Sequence, residues 1–188
     1  MINISKIFAA SADVKTQISK DDAIIKAIQD GFELLRSTAF VSEGTIFAAG
    51  NGGSACDAMH FVEELVARYK ATRPGIKAMH FADPGMVTCW SNDYEYNGVF
   101  ERYADTFCSP SDTLVAISTS GNSENILRAI KSAKSKGSKV IGLTGQSGGK
   151  MVGLCDVLIK VPSSETARIQ EAHITIIHTW CELLDGKL

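Results

Sequence analysis

The spacing of apolar residues predicts two helices at the start of the chain, followed by alternating strands and helices. Residues 1–42 are predicted to form the two helices. In the second of these, apolar residues recur at helical spacing from Ile24 to Ala39, behind the start signals Asp21 and Asp22. Short apolar segments then predict five strands, at Thr45–Ala49, Ile76–Phe81, Thr113–Ile117, Lys139–Leu143 and Val157–Val161. The segments between and after them predict helices at Ser54–Tyr69, Tyr94–Phe107, Ser123–Ser135 and Thr166–Leu184.

This alternation indicates an α/β fold. Near-continuous apolar strands are typical of a parallel sheet whose two faces are covered by helices. Such sheets bind ligands at the carboxyl ends of their strands. We expect one domain over residues 1–188, since the length is that of a single typical domain. The helix pair within residues 1–42 is extra to this core and is expected to pack on the domain or on a partner chain.

Composition narrows the classes of protein that fit. The chain has 19 Lys plus Arg against 21 Asp plus Glu, which argues against a general nucleic-acid binder. No apolar run has the length of about 18–20 residues that a membrane span needs, and Lys6 interrupts any signal-like segment. The odd number of cysteines, with no C-x-x-C pair, indicates a reduced cytoplasmic protein whose cysteines are small core residues, namely Cys56, Cys89, Cys108, Cys155 and Cys181.

Two polar loops follow predicted strands. The first, which we call the glycine turn, is Gly50-Asn51-Gly52-Gly53-Ser54. Its glycines permit either a plain tight turn or a close approach of the backbone to a ligand, with free N–H groups at the following helix. It matches neither G-x-G-x-x-G nor a P-loop, because it lacks the P-loop lysine.

The second loop, which we call the serine loop, is Ser118-Thr119-Ser120-Gly121-Asn122-Ser123. Four hydroxyls cluster here at the start of a predicted helix. One hydroxyl would suffice to cap that helix, as Ser120 or Ser123 could. The surplus favours a loop that wraps phosphate oxygens without Lys or Arg.

Two helices carry further candidate chemistry. His60 and Glu64 are four residues apart and share a helix face, so they could form a solvated pair, hold a metal together or act as acid and base. Glu63 points elsewhere and is expected to be a surface charge. Near the C-terminus, Gln170 and His178 share a broad helix face, although a lone histidine such as His178 would usually be a hydrogen-bonded core residue. His173 lies on a neighbouring face and is expected to be a packing or surface residue.

Taken together, these stretches resemble the sugar isomerase (SIS) domain and, more narrowly, the phosphoheptose isomerase family. The resemblance runs nearly from end to end and rests on the stretches Gly50–Ser54, Asp57–Leu65, Asn92–Tyr94, Ile117–Ser123 and Thr166–Glu171 with His178. It implies a three-layer sandwich with a central five-stranded parallel sheet. It also implies a homotetramer with sites at subunit interfaces, in which residues 1–42 serve oligomerisation.

The resemblance implies reversible aldose–ketose isomerisation of sedoheptulose 7-phosphate to D-glycero-D-manno-heptose 7-phosphate, a precursor of lipopolysaccharide core or other surface glycans. It assigns Glu64 and His178 as the acid–base pair. It assigns a zinc ion to His60, Glu64, Gln170 and His178. The implied substrate contacts are Asn51, Gly52, Gly53, Glu64, Asn92, Asp93, Ser118, Thr119, Ser120, Ser123 and Gln170.

Two features are difficult to reconcile with these implied site residues. Gln170 and His178 start about 12 Å apart on a regular helix, so for both to bind one ion the helix must begin after Gln170, the side chains must converge, or a second subunit must supply a ligand. Some members of the family carry an acidic residue before the Arg-Ile-Gln stretch, where this chain has Ala167. Glu165 lies two residues earlier and is a candidate substitute.

Three other functions compete with this one. Some relatives of phosphoheptose isomerases are tetrameric scaffolds that bind the replication initiator but lack the acid–base pair, whereas Glu64 and His178 are present here. Sugar-phosphate-sensing transcription regulators add a DNA-binding domain for which residues 1–42 are too short. An isomerase of another phosphosugar remains open, because the serine loop would read the phosphate rather than the sugar length.

Overall fold

The computed structural model describes residues 3–186, which fold around a five-stranded parallel sheet with strand order β2–β1–β3–β4–β5. The strands are β1 Ile46–Gly50, β2 Ala78–His80, β3 Thr113–Ile117, β4 Lys139–Thr144 and β5 Val157–Lys160. Within the same residues the α-helices are α1 Ile4–Lys20, α2 Asp22–Phe40, α3 Gly53–Val66, α4 Pro84–Asp93, α5 Val99–Phe107, α6 Glu124–Ser135 and α7 Thr166–Asp185. The predicted α/β fold with a central parallel sheet is therefore confirmed.

Helices cover both faces of the sheet, which makes a three-layer sandwich. Side chains alternate along each strand, so Ile46 and Ala48 pack with α2, α3 and α7, while Phe47 and Ala49 pack with α5 and α6. All five residues of β1 are buried, which explains why the central strands are continuous apolar runs. In the part of the chain that the structure describes, no helix combines the length and apolarity of a membrane span.

The two N-terminal helices are both predicted to be extra to the core, but the structure places them differently. Helix α2 buries Phe32 and Leu35 against the sheet, and the carbonyl of Ile28 accepts a 2.9 Å hydrogen bond from the Trp180 indole. Helix α1 differs: it buries Val14 and Ile18, whereas other apolar residues, such as Ile4 and Phe8, are 69% and 73% exposed. The apolar stripe of α2 makes it a layer of the sandwich, and α1 lies outside it.

The predicted helix Tyr94–Phe107 is wrong in its first third. The chain leaves helical geometry at Tyr94 (φ −131°, ψ −98°), passes through extended Glu95 and a 3₁₀ turn at Tyr96–Gly98, and only then forms α5. Helix α4 before it was not predicted, because it buries no residue completely and so shows no apolar stripe. Its start signal is local: Asp83 accepts a hydrogen bond from the Met86 N–H, with Pro84 in the first turn.

Two other elements are shorter than predicted. Helix α3 ends at Val66 rather than Tyr69, since the Arg73 guanidinium bonds the carbonyls of Glu64 and Leu65 that the next turn would use. Strand β2 is limited to three residues, because it lies at the sheet edge and pairs with β1 alone. The bounds of the remaining predicted strands and core helices differ from the observed ones by at most one residue at either end.

Candidate active site

A cavity of about 290 Å³ lies between the carboxyl ends of β1 and β3. These strands are neighbours, but α3 after β1 and α6 after β3 pack on opposite faces of the sheet. Such a switch point opens a crevice where parallel α/β sheets bind ligands. The lining residues come from the glycine turn, the serine loop and the start of α7, and are Asn51, Gly52, Gly53, Ser54, Ile117, Ser118, Thr119, Ser123, Thr166 and Gln170.

Each of the three glycines in the glycine turn is needed for a different reason. A Cβ on Gly50 would lie 2.3 Å from the carbonyl oxygen of Ser54, and Gly52 has a φ of +55°, which side chains rarely adopt. A Cβ on Gly53 would instead lie 2.7 Å from Nε2 of Gln170. The first two glycines shape the turn, and the third allows the Gln170 amide to reach the cavity wall.

The serine loop leaves its hydroxyls free of a helix-capping role. Ser123 is the N-cap residue of α6, but its side chain makes no capping hydrogen bond. It accepts instead a 3.1 Å hydrogen bond from the Ser118 hydroxyl, while Ser120 Oγ accepts from the Asn122 N–H. The cavity is therefore lined by three hydroxyl-bearing residues, Ser118, Thr119 and Ser123, at the positive end of α6, and none of its lining residues is Lys or Arg.

Residues 145–150 pack against the serine loop. Gly121 has a φ of +67°, and a Cβ there would lie 2.2 Å from the Gly148 carbonyl oxygen. The Gly145 N–H donates to the Thr119 carbonyl, and the Lys150 N–H donates to the Asn122 side chain. This close backbone packing fixes the loop shape before any ligand binds.

Three side chains from α3 and α7, which we call the His–Glu–His triad, converge on one point. His60 Nε2 lies 3.2 Å from Glu64 Oε1, and the His60 ring meets the His178 ring edge-on at a centroid distance of 5.0 Å. One ligand atom from each of the three residues lies within 4.8 Å of the others. Two imidazole nitrogens and one carboxylate oxygen form a donor set used by catalytic zinc sites, so the residues fit such an ion.

A buried ion pair ties together the two helices that carry the triad. Arg73 Nε lies 2.6 Å from Asp185 Oδ1 at the end of α7, with side-chain exposures of 2% and 7%. Arg73 also donates to the Glu64 carbonyl, and Asp185 accepts the Lys70 and Ala71 N–H groups. Burial alone would raise the pKa of Asp185, but these N–H donors and Arg73 lower it. Sequence reasoning missed this pair, since 112 residues separate its members.

The predicted site residues do not all meet in one place. Helix α7 runs unbroken through Gln170 and His178, which excludes the idea that it begins after Gln170. Ser120 and Glu64 are not among the cavity-lining residues, nor are the exposed Asn92 and Asp93 at the end of α4, whose side chains bond each other. Glu165 and Ala167 are exposed.

Other sequence interpretations are settled by burial. His173 is a packing residue, fully buried, with Nε2 3.3 Å from the Thr144 carbonyl oxygen. Glu63 is largely exposed, as predicted, although its carboxylate lies 4.0 Å from His60. All five cysteines are free, but the prediction that they are core residues is wrong for Cys56 and Cys89, which are exposed because they lie on the outer faces of α3 and α4.

Comparisons with known proteins agree with this geometry. Residues 8–145 match the SIS domain family. A phosphoheptose isomerase from Pectobacterium atrosepticum is 48% identical over 95% of this chain and 92% of its own length. One from Edwardsiella ictaluri is 50% identical over 89% of this chain and 87% of its own.

Solved structures give the same result. A phosphoheptose isomerase from Neisseria gonorrhoeae superposes with a TM-score of 0.90 at 36% identity, covering 97% of each chain. One from Francisella tularensis gives a TM-score of 0.91 at 32% identity, covering 99% of this chain and 100% of that one. Sequence identity of this extent and near-complete coverage show that the chain belongs to the SIS-domain phosphoheptose isomerase family.

Proposed function

We propose that this protein is an aldose–ketose isomerase that interconverts sedoheptulose 7-phosphate and D-glycero-D-manno-heptose 7-phosphate. The observation that carries the proposal is the arrangement of two sites along the same pair of helices. A hydroxyl-lined cavity receives the start of α3 and α7, and the His–Glu–His triad lies further along both helices. The relatives named phosphoheptose isomerase support the substrate class.

The spacing of the two sites suits a long sugar phosphate. Gln170 at the cavity and His178 in the triad are eight residues apart on α7, which corresponds to about 12 Å along the helix axis. An open seven-carbon chain with a terminal phosphate extends over roughly 10 Å, at about 1.3 Å of advance per bond. With the phosphate in the cavity, the first two carbons of the sugar would therefore come near the triad.

In this proposal the serine loop anchors the phosphate. Hydroxyls of Ser118, Thr119 and Ser123 and the N–H groups of the α6 terminus supply donors to the anion. The predicted contacts of Ser120, Asn92 and Asp93 with substrate stay predictions. Binding energy gained at the phosphate orients the reacting carbons, which lie at the far end of the molecule.

The proton transfers are assigned to the triad. Glu64 takes the proton from C2 of the aldose or C1 of the ketose and returns it to the neighbouring carbon, which passes through a cis-enediol. His178 moves the proton between the two oxygens as hydroxyl and carbonyl exchange. Each group would contribute about 10²–10⁴-fold to the rate.

The triad would also hold a zinc ion. His60, Glu64 and His178 offer the donor atoms, and Gln170 is the predicted fourth ligand. When bound, zinc would supply a Lewis acid that polarises the sugar carbonyl, or it would stabilise the site without entering the reaction. Since α7 is continuous, Gln170 can join only through converging side chains or through a second subunit.

We place the enzyme in the cytoplasm as a homotetramer, with sites at subunit interfaces. Five free cysteines suit a reducing compartment. The exposed apolar residues Ile4, Ile7 and Phe8 on α1 support the assignment of residues 1–42 to oligomerisation. Light scattering tests this assembly: four chains of 20.2 kDa are expected, and a monomer would contradict it.

The decisive experiment incubates the purified protein with sedoheptulose 7-phosphate in D₂O and follows the sugar carbons by NMR. An aldoheptose 7-phosphate with deuterium at C2 is expected, because the proton that Glu64 holds at the enediol stage exchanges with the solvent before it is returned to carbon. Conversion of fructose 6-phosphate alone would assign another phosphosugar. Binding without conversion would favour a scaffold or sensor. Glu64→Gln should keep the fold and abolish turnover, and substantial residual activity would refute the role of Glu64.

A further inference from the structure

We infer that Tyr96 and Asn125 are positioning residues that orient the Asn51 amide, so that Asn51 binds substrate as a hydrogen-bond donor. This inference rests on the proposed function. Tyr96 and Asn125 do not line the cavity, whereas Asn51 does. Both residues form hydrogen bonds with the Asn51 side chain. The three residues come from three separate segments, which are the glycine turn, the 3₁₀ turn after α4, and the first turn of α6.

Asn125 has only one orientation that satisfies its neighbours. The residue is buried, with an exposure of 2%, and its Oδ1 accepts a 3.0 Å hydrogen bond from the Ile126 N–H. A backbone N–H can only donate, so this side of the Asn125 amide must be the oxygen. The Asn125 Nδ2 then faces Asn51.

This orientation passes on to Asn51. The two amides form a reciprocal pair: Asn51 Nδ2 donates to Asn125 Oδ1 at 2.9 Å, and Asn125 Nδ2 donates to Asn51 Oδ1 at 2.8 Å. The Tyr96 hydroxyl donates a second hydrogen bond to Asn51 Oδ1 at 2.6 Å. Both lone pairs of the Asn51 oxygen are thereby used.

One of the two N–H groups on Asn51 Nδ2 is still available to a ligand. No other group among residues 3–186 accepts from the Asn51 Nδ2, and Asn51 lines the cavity. An N–H held in one direction binds an acceptor, which here is a phosphate oxygen or a sugar oxygen. The Tyr96 bond also links Asn51 to the segment that carries Asn92 and Asp93, so one hydroxyl joins two predicted substrate-binding segments.

Substitution of Tyr96 by Phe tests the inference with the least disturbance. Tyr96 is 50% exposed, so loss of its hydroxyl leaves packing intact. We expect the KM for sedoheptulose 7-phosphate, and its Kd by calorimetry, to rise about fivefold, the worth of one ordinary hydrogen bond, with kcat within twofold. Tyr94→Phe is the matched control, because Tyr94 is 70% exposed and stacks on Trp90, and its KM should not change.

Asn125→Asp gives a second, isosteric test. One carboxylate oxygen keeps the bond from the Ile126 N–H. The other replaces the donor Nδ2 and faces Asn51 Oδ1, so one hydrogen bond of the pair is replaced by repulsion between two oxygens. We expect a KM increase of tenfold or more. Asn97→Asp, on the exposed part of the same 3₁₀ turn as Tyr96, controls for the added charge.

A double-mutant cycle separates positioning from a structural role. In an Asn51→Ala background, Tyr96→Phe should cause no further rise in Kd, because its effect passes through Asn51. Additive losses, or lower kcat with unchanged KM, would overturn the inference while leaving the proposed function standing. A wild-type protein that neither binds nor converts sedoheptulose 7-phosphate would overturn both.

Discussion

His173 predicts a specific loss of stability on acidification. The side chain is fully buried, and burial lowers its pKa to about 4 from the ordinary 6.5, although the hydrogen bond to the Thr144 carbonyl opposes this. A carbonyl only accepts, so Nε2 carries the proton and any added proton must go to Nδ1, which has no partner among residues 3–186. Protonation therefore leaves a buried charge without compensation.

The sign and size follow from linkage. Between pH 6.5 and pH 4 the unfolded chain binds a proton at His173 and the folded chain does not, so the free energy of unfolding falls as the pH falls. The contribution changes by about 2 kcal/mol between pH 7 and pH 5. At an m value of about 3 kcal/mol/M, this moves the urea midpoint by roughly 0.7 M.

The assay compares wild type with His173→Gln at both pH values and one fixed protein concentration. Glutamine keeps an N–H for the Thr144 carbonyl but does not titrate. The pH-dependent loss of stability should be about 2 kcal/mol smaller in the variant. Burial raises the pKa of Asp57 to about 6, although His60 lowers it, so Asp57 makes the free energy of unfolding rise as the pH falls. This contribution is the same in both proteins and cancels in the comparison. Parallel pH profiles for the two proteins would refute the reasoning.

The remaining predictions concern the site. Gly53→Ala places a methyl 2.7 Å from Nε2 of Gln170 and should raise KM at least tenfold by displacing that amide; the fold should survive, and Gly85→Ala, whose Cβ meets only Asp83 Oδ1 at 3.2 Å, should leave KM unchanged. Asp185→Asn leaves the buried Arg73 charge unpaired and should lower the free energy of unfolding by about 3 kcal/mol in urea titrations; a loss below about 0.5 kcal/mol would contradict a stabilising role of this ion pair. Removal of metal by a chelator, followed by the isomerase assay, should lower activity that zinc restores; unchanged turnover by metal-free protein would eliminate the Lewis-acid role.

Local signals were sufficient wherever one segment decided its own structure. The strand at Thr113–Ile117 was predicted to the residue, because a run of apolar, β-favouring residues between turn signals has one good solution in a covered sheet. Asp21 was identified as a helix start and does cap α2, accepting the Ala23 and Ile24 N–H groups. Helix α4 was missed for the converse reason, since an element that buries no face leaves no apolar period to read.

The sequence by itself determined the alternation of strands and helices, the two loops at strand ends and the pairing of His60 with Glu64, because each depends on residues close together along the chain. The tertiary structure alone decided what these parts meet. It placed His178 against His60, Asn125 against Asn51 across 74 positions, and Arg73 against Asp185 across 112. Periodicity specifies which face of a helix is apolar, but contacts between distant segments depend on how the helices pack across the sheet, and that packing is set by the whole core.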